Sequence, residues 1–193
     1  MYFPWQRKKF LVPALRALLL VSSLFMFAFA MFSPIYAIFV QKIGGGVVEA
    51  SRAWALFGLT AGLLTFICGR LENKMKEVEL AIVWSQLLIG LAYIAFYFIH
   101  SVNGLYGVMV ILGIGEALYW PAFHALYGRH VDGRKSTWLW GVYDGLTYVV
   151  PAFGSALGGW LVAIYGFGVI FMIMAGLSFL NAIFIFLLPR KVL

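Results

Sequence analysis

Six stretches of apolar residues, at about 17–40, 53–71, 79–99, 104–127, 137–164 and 167–188, take up most of this 193-residue chain. Each meets or exceeds the roughly 17–25 residues that an α-helix needs to cross a hydrocarbon core. Of all residues 64% are hydrophobic and 11% charged, against about 25% charged in a typical soluble domain. A soluble fold of this length would leave large apolar patches in water. The expectation is an all-α integral membrane protein, a single six-helix domain over residues 1–193. Its connections are short: Gly44-Gly45-Gly46, the charged stretch from Arg70 to Glu79, Asn103-Gly104, Asp132-Gly133 and Tyr165-Gly166. The single cysteine, Cys68, lies in an apolar run and excludes an intrachain disulfide.

A net charge of +7 would point to nucleic acid in a soluble protein. Here the basic residues separate apolar runs, so they report topology instead, and no nucleic-acid partner is expected. With the N-terminus in the cytoplasm, the inner side carries Arg7, Lys8, Lys9, Arg16, Arg70, Lys74, Lys76, Arg129, Arg134, Lys135, Arg190 and Lys191; the outer side carries only Lys42 and Arg52. Cytoplasmic loops are enriched in Lys and Arg, so twelve against two predicts a cell (inner) membrane protein with both termini cytoplasmic. Trp5 and Phe10 read as interfacial anchors. The first basic cluster with Ala28-Phe29-Ala30 looks like a signal peptide, but the apolar run continues to Val40, and cleavage would leave five spans.

The first and fourth spans each approach one end through an aromatic-rich proline turn, Phe32-Ser33-Pro34-Ile35-Tyr36 and Tyr119-Trp120-Pro121-Ala122-Phe123. The second and fifth each carry Gly-x-x-x-Gly-Leu, from Gly58 to Leu63 and from Gly141 to Leu146. Spans one to three thus read as a weak copy of spans four to six. Three is odd, so the copies lie inverted in the membrane. Such 3+3 inverted repeats with Pro- or Gly-interrupted helices mark secondary transporters.

The same residues resemble the major facilitator superfamily, over the whole chain, as one six-helix half of its usual twelve helices. Gly69-Arg70-Leu71-Glu72-Asn73-Lys74-Met75-Lys76 stands where that family places its Gly-x-Leu-x-Asp-Arg-x-Gly loop. Asn73 replaces the aspartate and Lys76 the last glycine. A gating role for Gly69, Arg70, Asn73 and Lys74 is what the resemblance implies. Gly154-Ser155-Ala156-Leu157-Gly158-Gly159 is similar to the fifth-span signature of antiporter members, with Ser155 in place of its proline. In this family the cavity lies between two halves, so the resemblance implies a partner. A second copy of the chain is the simplest one. The family's second and fifth helices contact the opposite half. Gly58 and Gly62, with Gly141, Gly145, Gly154 and Gly158, are therefore expected at a dimer interface, where small residues let backbones approach. Packing within one chain is the alternative. The sixth span suits lipid.

Charges inside a span cost at least about 2.5–3.5 kcal/mol even on the lenient insertion scale, and usually serve function. Glu116 lies at the centre of the fourth span, and Asp144 lies about 12 Å into the fifth at 1.5 Å per residue. At 100° per residue Glu116, Trp120 and His124 share one face. So do Asp144, Tyr148, Ser155 and Gly141 on the fifth span, and Ser22, Phe25, Phe29, Ser33 and Tyr36 on the first. The expected cavity residues are Glu116, Trp120, His124, Asp144, Tyr148 and Tyr36. Either acid offers the proton exchange that a coupled carrier requires; the alternative is a hydrogen bond to a tyrosine or to the Gln86 amide that merely fixes packing. No Lys or Arg lies deep in a span, so a neutral or cationic solute is expected, with aromatic faces to stack on it. Sugars and amphiphilic drugs both fit.

No cofactor or metal is expected. An intramembrane protease fits poorly, because Ser155 lacks a histidine base on the sixth span and no His-Glu-x-x-His pattern exists. The expected function is secondary active transport by a homodimer through alternating access, with proton coupling as an option. The alternatives are a non-transporting subunit or scaffold, or one half of a heterodimeric carrier.

Overall fold

The computed structural model describes residues 13–72, 75–131 and 133–188. They form α1 (Pro13–Phe32), α2 (Tyr36–Lys42), α3 (Val47–Glu72), α4 (Glu79–Phe98), α5 (Val102–His130), α6 (Ser136–Tyr165) and α7 (Phe167–Leu187), with short 3₁₀ turns at Ser33–Ile35 and Gly133–Lys135. With α1 and α2 counted as one span, six of these segments are long and apolar enough to cross a membrane. In hydrocarbon the backbone must satisfy its own hydrogen bonds, which is why the apolar runs resolve as helices.

Four of the six spans outrun their apolar stretches, most of all α3, which begins at Val47 instead of near residue 53. Glu49 explains the early start. Its Oε2 accepts the Gly46 N–H at 2.8 Å, closing the first turn in the interfacial region where charge is tolerated. At α5 the Ser101 side chain accepts the Gly104 N–H at 3.3 Å and fixes the N-terminus. Gly44 (φ 85°) and Gly166 (φ 78°) sit in the left-handed region that a tight reversal between helices needs.

Prolines behave differently at the two matched positions. Pro34 opens the 3₁₀ turn that divides the first span into α1 and α2. Pro121 sits inside an unbroken α5, and Pro151 inside α6. The proline turn expected at Tyr119–Phe123 is therefore absent. Lipid-embedded helices tolerate proline where neighbouring helices support the backbone, and Pro121 lies against Gly69 of α3.

The main packing pairs are α3 with α5, α5 with α4, α4 with α7, α7 with α1, and α1 with α6; a smaller α1–α5 contact closes the centre. The flanks are α3 and α6. Close approach depends on glycines. A Cβ on Gly113 would meet Phe57 and Thr60 of α3, one on Gly115 would meet Ile89 of α4, and one on Gly90 would meet the Phe179 ring of α7. Gly154 and Gly158 let α6 lie directly on the α1 backbone at Phe27 and Met31. Phe32, Phe39, Phe96 and Phe171 interlock at one end of the core, with ring centroids 5.1–5.8 Å apart.

Candidate functional site: a recess between α1, α5 and α6

The three helices α1, α5 and α6 bound a recess of about 340 Å³, lined by Phe25 and Phe29 of α1, Ser33 of the 3₁₀ turn that follows it, Glu116 and Trp120 of α5, and Pro151 and Ser155 of α6, among others. At its polar end the Trp120 indole N–H donates to Glu116 Oε2 at 3.2 Å. One turn separates the two residues, so the bond is a product of helical spacing. The Trp120 ring packs edge-on against Phe25 at 5.7 Å and stacks on the His124 imidazole at 5.5 Å. Glu116 also lies within electrostatic range of the buried Tyr93 and Tyr119 hydroxyls. A half-buried acid, an indole and a row of phenyl rings make a concave surface suited to a flat or cationic group.

The expected cavity residues divide. Glu116 and Trp120 line the recess, and His124 continues their face as an exposed imidazole beside Trp140 and Tyr143. Tyr36 does not join them. It is 6% exposed, its hydroxyl donates to the Ala50 carbonyl at 3.4 Å, and it borders a separate groove between α2 and α3. The break at Pro34 carries it away from the face it would have shared on a continuous helix. Asp144 and Tyr148 lie on the outer side of α6, uncovered by the rest of the chain, Tyr148 at 78% exposure. Ser155, on the same sequence-predicted face, does reach the recess, and its hydroxyl donates to the Ala30 carbonyl at 3.2 Å. Ser22 is fully buried and donates to the Leu19 carbonyl at 3.1 Å.

The glycines divide as well. Cβ atoms on Gly58, Gly62, Gly141 and Gly145 would meet nothing within 4 Å, whereas at Gly154 and Gly158 they would strike the α1 backbone. The last two pack within one chain, contrary to the interface expected for them. Gly69 and Arg70 belong to the final turns of α3, so the expected gating loop begins later than its motif suggests; Asn73 and Lys74 lie outside the described residues.

The profile of the Major Facilitator Superfamily matches residues 18–192. The chain belongs to that superfamily. A curated relative, the uncharacterized MFS-type transporter YitZ of Bacillus subtilis (strain 168), is 28% identical over 159 residues, which cover 81% of this chain and 95% of that one. Among solved structures, the in meso crystal structure of the POT family transporter PepTSo superposes with a TM-score of 0.73 at 18% identity, covering 93% of this chain and 37% of that one. The chain thus spans well under half of that larger transporter and nearly all of YitZ. The superfamily member described here is a multi-pass transporter-family membrane protein, and the all-helical six-span architecture expected from the sequence is the one observed.

Sequence reasoning missed Met26, Ala30 and Pro151 as recess residues. Alanine and methionine on an apolar helix carry no local signal. Pro151 did carry one, as a mid-span proline on the same face as Asp144, Tyr148 and Ser155 at 100° per residue.

Proposed function

We propose that this superfamily member is a secondary active transporter of a neutral or cationic solute. It works as a homodimer by alternating access, with Glu116 as the group that exchanges a proton. The Glu116–Trp120 pair on an open recess supports the reading most directly. A transport cavity needs a second wall, and two exposed faces are suited to receive one. Gly58 and Gly62 of α3, with Gly141 and Gly145 of α6, have open space where a side chain would be. Asp144 shares the exposed side of α6. A carboxylate facing lipid at that depth would be costly, so a second copy or a water-lined cavity covers it. Helix adjacency is consistent with a 3+3 repeat: exchanging spans one to three with four to six maps α3–α5 onto α6–α1, and α4–α5 onto α7–α1. Cytoplasmic termini follow from the Lys and Arg distribution.

Native mass spectrometry from a mild membrane mimetic should give a mass near twice 21.6 kDa; a monomer under all gentle conditions overturns the homodimer. Proton-driven uptake into proteoliposomes should be abolished by Glu116→Gln with the dimer intact. Full coupled transport by that variant removes Glu116 from the mechanism.

A further inference from the structure

The centre of the six-helix unit contains polar groups that the recess does not use. Ser85 and Gln86 of α4, Tyr119 of α5, and Ser178 and Asn181 of α7 are each at most 2% exposed. Neither amide atom of Gln86, nor Asn181 Oδ1, nor the hydroxyls of Ser85, Tyr119, Ser178 and Tyr93 finds a hydrogen-bond partner among the described residues. Asn181 Nδ2 does, donating to the Val21 carbonyl at 3.0 Å. Folded interiors leave few such groups unpaired, because each has given up water without replacement.

Register brings them together. Gly90 lies against Phe179, and Ser85 and Ile89 lie against Gly115, so α4 meets α7 and α5 at known levels. One turn before Gly90 stands Gln86; two residues after Phe179 stands Asn181; one turn after Gly115 stands Tyr119. Asn181 reaches α1 at Val21, and Tyr119 stacks on Phe25 one turn further along α1, with centroids 4.4 Å apart. Gln86, Asn181 and Tyr119 therefore fall within about a turn of one level, each on the core side of its helix.

The donor set indicates the occupant. Gln86 offers two N–H donors and one acceptor, Asn181 a carbonyl acceptor, and the hydroxyls either role. A bare cation would confront the Gln86 N–H₂, and an anion would confront the carbonyl oxygens. Water, which both donates and accepts, matches the mixture. We propose that α1, α4, α5 and α7 enclose a hydrated site in which Gln86, Asn181 and Tyr119 hold ordered water between them. The site is independent of dimerisation and of proton coupling. The Tyr119 hydroxyl at its edge lies within electrostatic range of Glu116.

Two measurements on the chain test it. In the first, unfolding equilibria in mixed micelles are compared for wild type, Gln86→Met, Asn181→Leu and the double variant. Shared water predicts that each single variant is less stable, and that the double variant departs from additivity by at least about threefold in the unfolding constant. A Gln86→Met protein more stable than wild type would mean a dry, unpaired amide, and strict additivity would mean no shared occupant; either overturns the proposal. Stabilisation by sodium chloride over choline chloride that Gln86→Met abolishes would assign the site to a cation, and overturns it too. In the second, hydroxyl radicals generated from water by an X-ray pulse are used on the wild type. Tyr119 should be labelled several-fold more than Tyr127, equally buried but already donating to the Leu139 carbonyl at 2.6 Å. Equal protection of the two overturns the proposal.

Discussion

The two sides of this six-helix unit leave different surfaces uncovered. On the side built from α4 and α7 the exposed residues include Trp84, Leu91, Phe98, Met172, Leu180, Ile183 and Phe186, large and apolar. Along α3 and α6 the exposed stripes include Gly58, Gly62, Gly141, Asp144, Gly145 and Tyr148, small or polar positions amid apolar ones. Lipid tails are as apolar as leucine, so burying leucine against another helix gains little over leaving it in the bilayer. Small residues gain only when a second backbone comes close. The α4–α7 side is therefore suited to lipid, while the α3 and α6 faces set small residues among large apolar ones such as Phe66 and Phe153 and so also suit close packing. Gly154 and Gly158 show the effect within the chain, because there the approaching backbone is that of α1.

Three substitutions test that contrast. The largest effect is expected for Gly158→Leu, which drives a side chain into the Met31 backbone. Overpacking of this kind costs typically about 1–3 kcal/mol, and the loss should appear as a lower melting temperature and a poor yield of monodisperse protein. Wild-type stability in that variant would mean that α6 does not rest on α1 as described. Next comes Gly145→Leu on the uncovered face. Nothing in the same chain obstructs it, so the monomer should fold normally, with melting unchanged or slightly raised by the roughly 1 kcal/mol better helix propensity. The dimer band in native mass spectrometry should weaken or vanish; an intact dimer would move the proposed interface elsewhere. The smallest effect belongs to Leu180→Ala on the lipid side, expected within about 0.5 kcal/mol of wild type and without change in mass. A large loss there would place a protein partner where lipid has been assigned.

Span number and family were legible in the sequence because each rests on long, additive patterns. An apolar run of twenty residues or a glycine-rich motif survives local irregularity. That Glu116 and Trp120 share one face was legible from their four-residue spacing; the hydrogen bond between them was not, since a tyrosine or Gln86 was the expected partner. Tyr36 was misplaced because a face calculated at 100° per residue assumes an unbroken helix, and Pro34 interrupts it. Gln86 and Asn181 stood out only as isolated polar residues in apolar spans. Their meeting requires the register of α4 against α7, and no local signal encodes it.

By itself, then, the sequence determined that the chain dissolves in a bilayer as six helices, because hydropathy and length decide that helix by helix. Tertiary structure alone decided which glycines are consumed inside the chain and which remain open. Gly141, Gly145, Gly154 and Gly158 look alike along α6, and only the position of α1 distinguishes them. The physical reason is that a glycine in lipid contributes through what approaches it, and that partner lies more than a hundred residues away in the chain.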